Sequence, residues 1–591
     1  MAKLAVILHQ GSLGTAEERL GRILDFFGVP WKAVAVAELE KMDSSAGEHA
    51  ALGSVQAVAA ARARLAGGGG ALRAFTAVYA YLDPDDCRSE TCIRALYGRA
   101  DWALGRAPAQ PVPVVVSTEA RELTGPMSGL KLSLVLGAED AFLAGDFSGP
   151  ESAGTTILSA AGHPAFHRSR IHGTEMFLCM SAGMVDIDQA AGSGFYDVKQ
   201  HFCSVAPLVM FIKSAFREVA WRQQELGACL IIDDPLLKPR YGFCDFPKLQ
   251  ALMQGHGFNT NISFIPWNWR RTTPAAAEFF KSQEALFSVS IHGCDHIASE
   301  FGAASAEVLN DRARLAQARM RKHETRTGIR HDPVMVFPQG VFSSACPEIL
   351  KRNGFLAAVN TETLPVDSQN ARTRIRDVWD VAITSYGGFP VFTRRYAFHG
   401  LENFAFDLLL GKPCLIVSHH DFFKDGGAGL IALIDQLSSL NCSLRWRSLG
   451  EVVRRACRRR WIGPSREEIE MYGTELRVEN PSDRPIEARV RKRESRADQV
   501  AEVLCGEMPV TWTAEGEHLC FGGRIPPHSE EFFKVCYRSP AHAEPMPRSL
   551  RYEITVAARR VLSEWRDDYL CRSHFLSATA AKLKGALRRH P

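Results

Sequence analysis

Three short stretches of this 591-residue chain bring imidazoles and carboxylates to places where chemistry could use them. "LIIDDP" ends an apolar run on Asp233 and Asp234, "SIHGCDH" spaces His292 and His296 four residues apart, and "LIVSHHDFF" ends a second apolar run on His419, His420 and Asp421. Each has an ordinary explanation when taken alone. Paired aspartates cap helices, histidines at i and i+4 share one helix face without binding anything, and a histidine doublet can be a satisfied structural pair. Together they say more, because a divalent cation needs at least three N or O donors converging on one point. Asp234, His292 and His296 form a set of two histidines and one carboxylate that leaves a coordination position open, the pattern of a catalytic rather than a structural metal.

Residues so far apart in sequence converge only if one scaffold delivers them. From residue 229 the stretches "ACLIIDD", "TNISFIPWN", "LFSVSIHG", "PVMVFPQG", "LAAVNTET", "VAITSYGG" and "CLIVSHHD" recur with helical segments between most of them. Continuous apolar runs of this kind are buried parallel strands, and a closed β/α barrel presents its functional side chains at the strand C-termini. Residues 223–462 are therefore expected to form a (β/α) barrel. Ahead of it, alternating strand and helix patterns predict a small doubly wound α/β domain over 1–120, with an α+β continuation over 121–222. After it, alternation with Asn-Pro and Pro-Pro turns predicts an antiparallel β-sandwich over 470–557, "RYEITVAA" included. Residues 558–591 read as a basic helical tail, ending in the amphipathic "FLSATAAKLKGALRRH".

Composition narrows the classes. Hydrophobic residues make up 46% and charged residues 23%, ordinary for a globular chain. A net charge of +4, with Lys and Arg interleaved among Asp and Glu, provides no basic stripe for nucleic acid. Fifteen cysteines without a CxxC pair argue against a zinc ribbon or a disulfide framework and suit a reducing compartment. The apolar run near the start is too short for a secretory leader, and no window approaches the roughly 20 apolar residues of a spanning helix. A cytoplasmic protein is expected, its C-terminal helix read first as a surface or docking helix, with weak membrane-surface contact as the alternative.

The motif order resembles the polysaccharide deacetylase (NodB-like) family: a strand-end Asp-Asp, a His-x-x-x-His, a Pro-aromatic-Gly loop and a strand-end histidine. Here these are Asp233-Asp234, His292 to His296, Pro338-Gln339-Gly340, and His419 or His420, within residues 225–457. The resemblance implies a distorted barrel of about seven strands and a metal-dependent hydrolase that removes acetyl groups from an N-acetylated carbohydrate or glycoconjugate. It assigns Asp234, His292 and His296 to one divalent cation, with zinc the first choice, and makes Asp233 the general base. His420, with His419 as the alternative, becomes the general acid, and a loop N–H near Gly340 an oxyanion donor. Pro338, Trp267, Trp269, Arg240 and Tyr241 are candidates for substrate contact.

The chain departs from the family at three places. Pro235 follows the aspartates where Gly is usual, Val336 stands where the family has the arginine that orients the base, and Gln339 replaces the loop aromatic. With that arginine missing, Asp377 and Asp380 are candidates for support of the acid histidine. The rival reading is a non-catalytic carbohydrate-binding or scaffold protein of a polysaccharide biosynthesis system that keeps the barrel for shape.

Overall fold

The computed structural model describes residues 3–41, 49–66, 75–83, 86–106, 108–145, 154–171, 173–192, 194–302, 304–367, 373–538 and 548–571. The amphipathic stretch at 575–590 lies outside the described residues.

The barrel grows from the strand Leu226–Asp233, whose eight residues are all buried. It pairs in parallel with Thr260–Phe264 on one side and Cys414–Ser418 on the other. The sheet continues in parallel through Phe287–His292, Val334–Val336 and Ala357–Asn360 to Val391–Thr393. Closure comes from one short piece of chain: Val391–Thr393 pairs with Ala357–Asn360, and Arg395–Tyr396 pairs with Cys414–Ser418. Arg394 is the residue at the break between them. The expected strand at "VAITSYGG" does not form, since Ile383 makes only an isolated bridge to Val391. The paired glycines at 387 and 388, both at positive φ, turn the chain there instead.

Residues 4–179 build one nine-stranded sheet. Leu4–His9, Trp31–Ala35, His49–Ser54, Phe75–Tyr81 and Thr174–Cys179 are parallel, and four further strands continue it antiparallel. The expected boundary near residue 120 therefore cuts through a single sheet, between Val112–Val116 and Lys131–Leu134. The apolar helix Phe202–Ala215 joins this sheet's core to that of the barrel.

The sandwich starts earlier than the sequence suggests, with Cys457–Gly463 as one of its strands. It is also not purely antiparallel, because Arg466–Met471 and Ile486–Arg493 run parallel. "RYEITVAA" is not a strand. It lies in a helix, Leu550–Trp565, capped by the Ser549 hydroxyl and packed across the barrel mouth. The alternation that reads as a strand also fits this helix, which contacts protein along one edge only.

Candidate active site

The barrel's first strand ends at Asp233, and Asp234 then adopts φ 82°. A left-handed backbone is costly for most residues and tolerable for Asp. It cancels the alternation that would send two neighbouring side chains to opposite faces. Both carboxylates can thus serve one site.

The His-x-x-x-His pair does not sit on a helix. His292 ends its strand, Gly293 and His296 take φ 62° and 57°, and the loop winds around the buried Glu300 carboxylate. Glu300 accepts from the N–H groups of Cys294, Asp295 and His296 at 3.0, 2.7 and 3.0 Å. Pro338 props the same loop, since a Cβ on Gly293 would come within 2.5 Å of its ring. Asp234 Oδ1 ends 2.9 Å from His296 Nε2 and 3.3 Å from His292 Nε2.

These three residues fit a cation. Asp234 Oδ1 is buried and, despite both short approaches, has no hydrogen-bond partner of sound geometry. His292 Nδ1 lies 3.0 Å from the Val336 carbonyl, to which only an N–H can donate, so the proton belongs on Nδ1 and the Nε2 lone pair faces Asp234. Burial opposes ionisation of Asp234, yet without a cation the two imidazoles, when protonated, hold its carboxyl well below the usual range.

Asp233 is held by a residue that sequence reasoning missed. Arg394 donates Nη1 to Oδ1 at 2.8 Å and Nη2 to Oδ2 at 2.6 Å. Val336 offers no guanidinium, but one arrives from the barrel's closing segment. Burial pushes Asp233 up, and Arg394, with help from His292, more than offsets it and keeps the carboxyl below its ordinary value. The signal lay in "VFTRRY", an arginine doublet ending an apolar run.

The two strand-end histidines separate cleanly. Pairing of Ile232 with Ser418 sets His419 beside Asp233, with Nε2 4.0 Å from Oδ2 and the ring parallel to Tyr396. His420 turns away against Tyr241 and Phe243, 3.4 Å from Asp567. The geometry thus favours the alternative, His419, over the first choice, His420.

Other expected contacts resolve as follows. The Gly340 N–H is committed to the Phe337 carbonyl at 3.2 Å and is no oxyanion donor. Trp267 borders the site, its backbone N–H bonded to the Cys294 carbonyl at 3.0 Å. Trp269 packs between Arg270 and Lys322 along the helix Ala306–Thr327, the plain packing role. Arg240 bonds the Gly242 carbonyl at 3.3 Å, and the Tyr241 hydroxyl donates to Asp567 at 2.8 Å. Asp377 caps a short helix and Asp380 meets Tyr472 and Arg458 of the sandwich, so neither supports the acid histidine. A cavity of about 600 Å³ lined by Lys351, Phe355 and Tyr537 lies between barrel and sandwich, away from these donors.

The mouth is covered by the helix Leu550–Trp565 and the turn after it. Lys238 pairs with Glu564 at 2.7 Å and with Asp568 at 2.5 Å, and the Gly242 N–H donates to Asp568 at 2.7 Å. Arg271 meets Glu564, while Arg548 and Tyr552 hold Asp295. Arg560, nearly buried, brings Nη2 to 3.4 Å from His296 Nδ1. No sequence motif marked these residues, whose inward contacts exist only once the helix crosses the barrel.

No protein-family model matches this chain, and no curated protein does. Among solved structures it is similar to Agd3, described as a novel carbohydrate deacetylase, with a TM-score of 0.48, 10% identity, and coverage of 90% of this chain and 98% of that one. A family 4 carbohydrate esterase from Streptomyces lividans in complex with acetate matches at TM-score 0.22 and 12% identity, over 36% of this chain and 85% of its own. A CE4 family pseudoenzyme from Bacillus anthracis matches at TM-score 0.25 and 11% identity, over 39% and 66%. At these identities the likeness is one of fold.

Proposed function

We propose that this chain is a divalent-metal-dependent hydrolase that removes acetyl groups from an N-acetylated carbohydrate or glycoconjugate. The observation that carries the reading is the convergence of Asp234, His292 and His296 beside an Arg394-held Asp233. A divalent cation held by the three donors would supply Lewis-acid polarisation of an amide carbonyl. Zinc suits two imidazoles and one carboxylate best.

The chain's own groups supply the proton traffic. Asp233, kept ionised by Arg394, accepts the proton of the attacking water. Its fork-on-fork contact fixes one carboxylate orientation, so little reorganisation is needed at the moment of transfer. His419, about one-third exposed at the mouth, donates a proton to the departing amine. Trp267, half-buried beside the Cys294 loop with Arg271 over its ring, is the candidate aromatic contact for a sugar ring.

Release of acetate from N-acetylated chito-oligosaccharides, with and without prior chelator treatment, tests this reading. Acetate release that stops after chelation and returns on adding zinc supports it. Equal release by the parent and by Asp233→Asn would overturn it. No release from acetylated oligosaccharides by metal-loaded protein would favour the non-catalytic alternative.

A further inference from the structure

The segment 550–569 has its chemistry arranged the wrong way round for a surface helix. Such helices normally bury an apolar stripe and expose a charged one. Here Glu564, Asp567 and Asp568 face the barrel, where Lys238, Arg271 and Tyr241 hold them. Leu550, Ile554, Val561, Leu562, Trp565 and Tyr569 face outward, each 49% to 76% exposed. Their spacing gathers them on one side of the helix. The helix cannot roll to hide this stripe without breaking every inner ion pair.

The outer face is also electrostatically one-sided. Among the exposed positions of 549–569 the only charged residues are Arg551 and Arg566, with no acid. The 20 residues that follow, 572–591, contain five Lys or Arg and no Asp or Glu. We propose that this face docks on an anionic lipid bilayer, with Ile554, Leu562 and Trp565 entering the interface and the cations meeting acidic headgroups.

Three observations favour a bilayer over other occupants. Large exposed apolar side chains flanked by cations are what an interfacial helix needs. Trp565 and Tyr569 sit at one end, and their amphipathic rings suit the headgroup level. A second copy placed on the same face across a two-fold axis would bring Arg551 and Arg566 together, with only Glu553, beside Arg548 at the flank and the most exposed acid of the helix, to offset them. Among the described residues no helix is long and apolar enough to cross a membrane, so the contact is one of surface docking. This inference does not depend on the hydrolase reading.

Sedimentation of the full chain with phosphatidylcholine vesicles, with and without phosphatidylglycerol, tests it. The expected result is binding to the anionic vesicles only, weakened by salt and reduced by roughly tenfold or more in Ile554→Glu/Leu562→Glu. Both positions are exposed, so unchanged circular dichroism checks that the variant folds. Absence of binding to anionic vesicles, or equal binding by the double variant, would overturn the proposal. So would a concentration-dependent increase in mass that the double variant abolishes, which makes the occupant a second copy. Binding that appears only after deletion of 572–591 would overturn it too, by making the chain's own tail the occupant.

Discussion

Arg394 and Asp233 lie side by side inside the barrel, guanidinium on carboxylate, with N–O distances of 2.8 and 2.6 Å and each side chain only 3% exposed. One ends the barrel's first strand. The other sits at the single break in its closing segment.

Removing the arginine leaves a buried carboxylate without its partner. Arg394→Met is expected to destabilise the fold by about 3–5 kcal/mol and to lower turnover on the order of a hundredfold. Adding Asp233→Asn removes the stranded charge, so the double variant regains part of the stability and none of the turnover. Denaturant unfolding alongside acetate release measures both.

The two neighbouring histidines separate by function. His419→Ala is expected to lower kcat by roughly 10²–10⁴, the range of a lost proton donor. His420→Ala is expected to stay within about tenfold of the parent, because its ring packs on Tyr241 and Asp567 rather than beside Asp233. Comparison of kcat on one acetylated oligosaccharide decides it, and the opposite ranking would return the role to His420.

The donors of the site were legible because a strand end and a fixed spacing constrain them locally. Asp233, Asp234, His292 and His296 could be chosen from two short motifs, and the apolar runs leading to them revealed a parallel barrel. Arg394 was hidden by a register problem. "VAITSYGG" is the more apolar run, so the closing strand was expected there, yet the glycine pair diverts it and "VFTRRY" closes the barrel. Glu300 escaped notice because its role is to bind backbone N–H groups, which no side-chain pattern announces. The helix at 550–565 was misread because a face that is apolar outward imitates a half-buried strand.

Arg560 and a cation compete for His296. An imidazole that binds metal through Nε2 carries its proton on Nδ1, while an arginine can only donate to that atom. The contact at 3.4 Å therefore favours the metal-free tautomer. Arg560→Ala is expected to bind zinc more tightly by roughly tenfold, a coupling of ordinary size. Competition against a chelating dye at fixed pH reads this directly, and equal or weaker affinity would contradict it.

Acid should unfold this chain partly through His323. Burial, aided by Arg326, lowers its pKa to about 4, and its Nε2 shares a hydrogen bond with the Thr272 hydroxyl at 2.9 Å. Above pH 6.5 the ring is neutral in both states and contributes no pH dependence. Between pH 6.5 and 4 the unfolded chain takes up a proton that the folded one refuses, so stability falls with pH by up to about 3 kcal/mol. In His323→Gln that share of the slope should vanish, as denaturant unfolding of parent and variant across this window would show.

The central claim is that Asp234, His292 and His296 hold one divalent cation. Elemental analysis of the purified chain beside Asp234→Ala and His292→Ala, prepared identically and dialysed against zinc, tests it most directly. The account predicts about one equivalent in the parent and a large loss in both variants. No bound metal in the parent, or the same content in all three, would contradict it and make the strand-end aspartates structural.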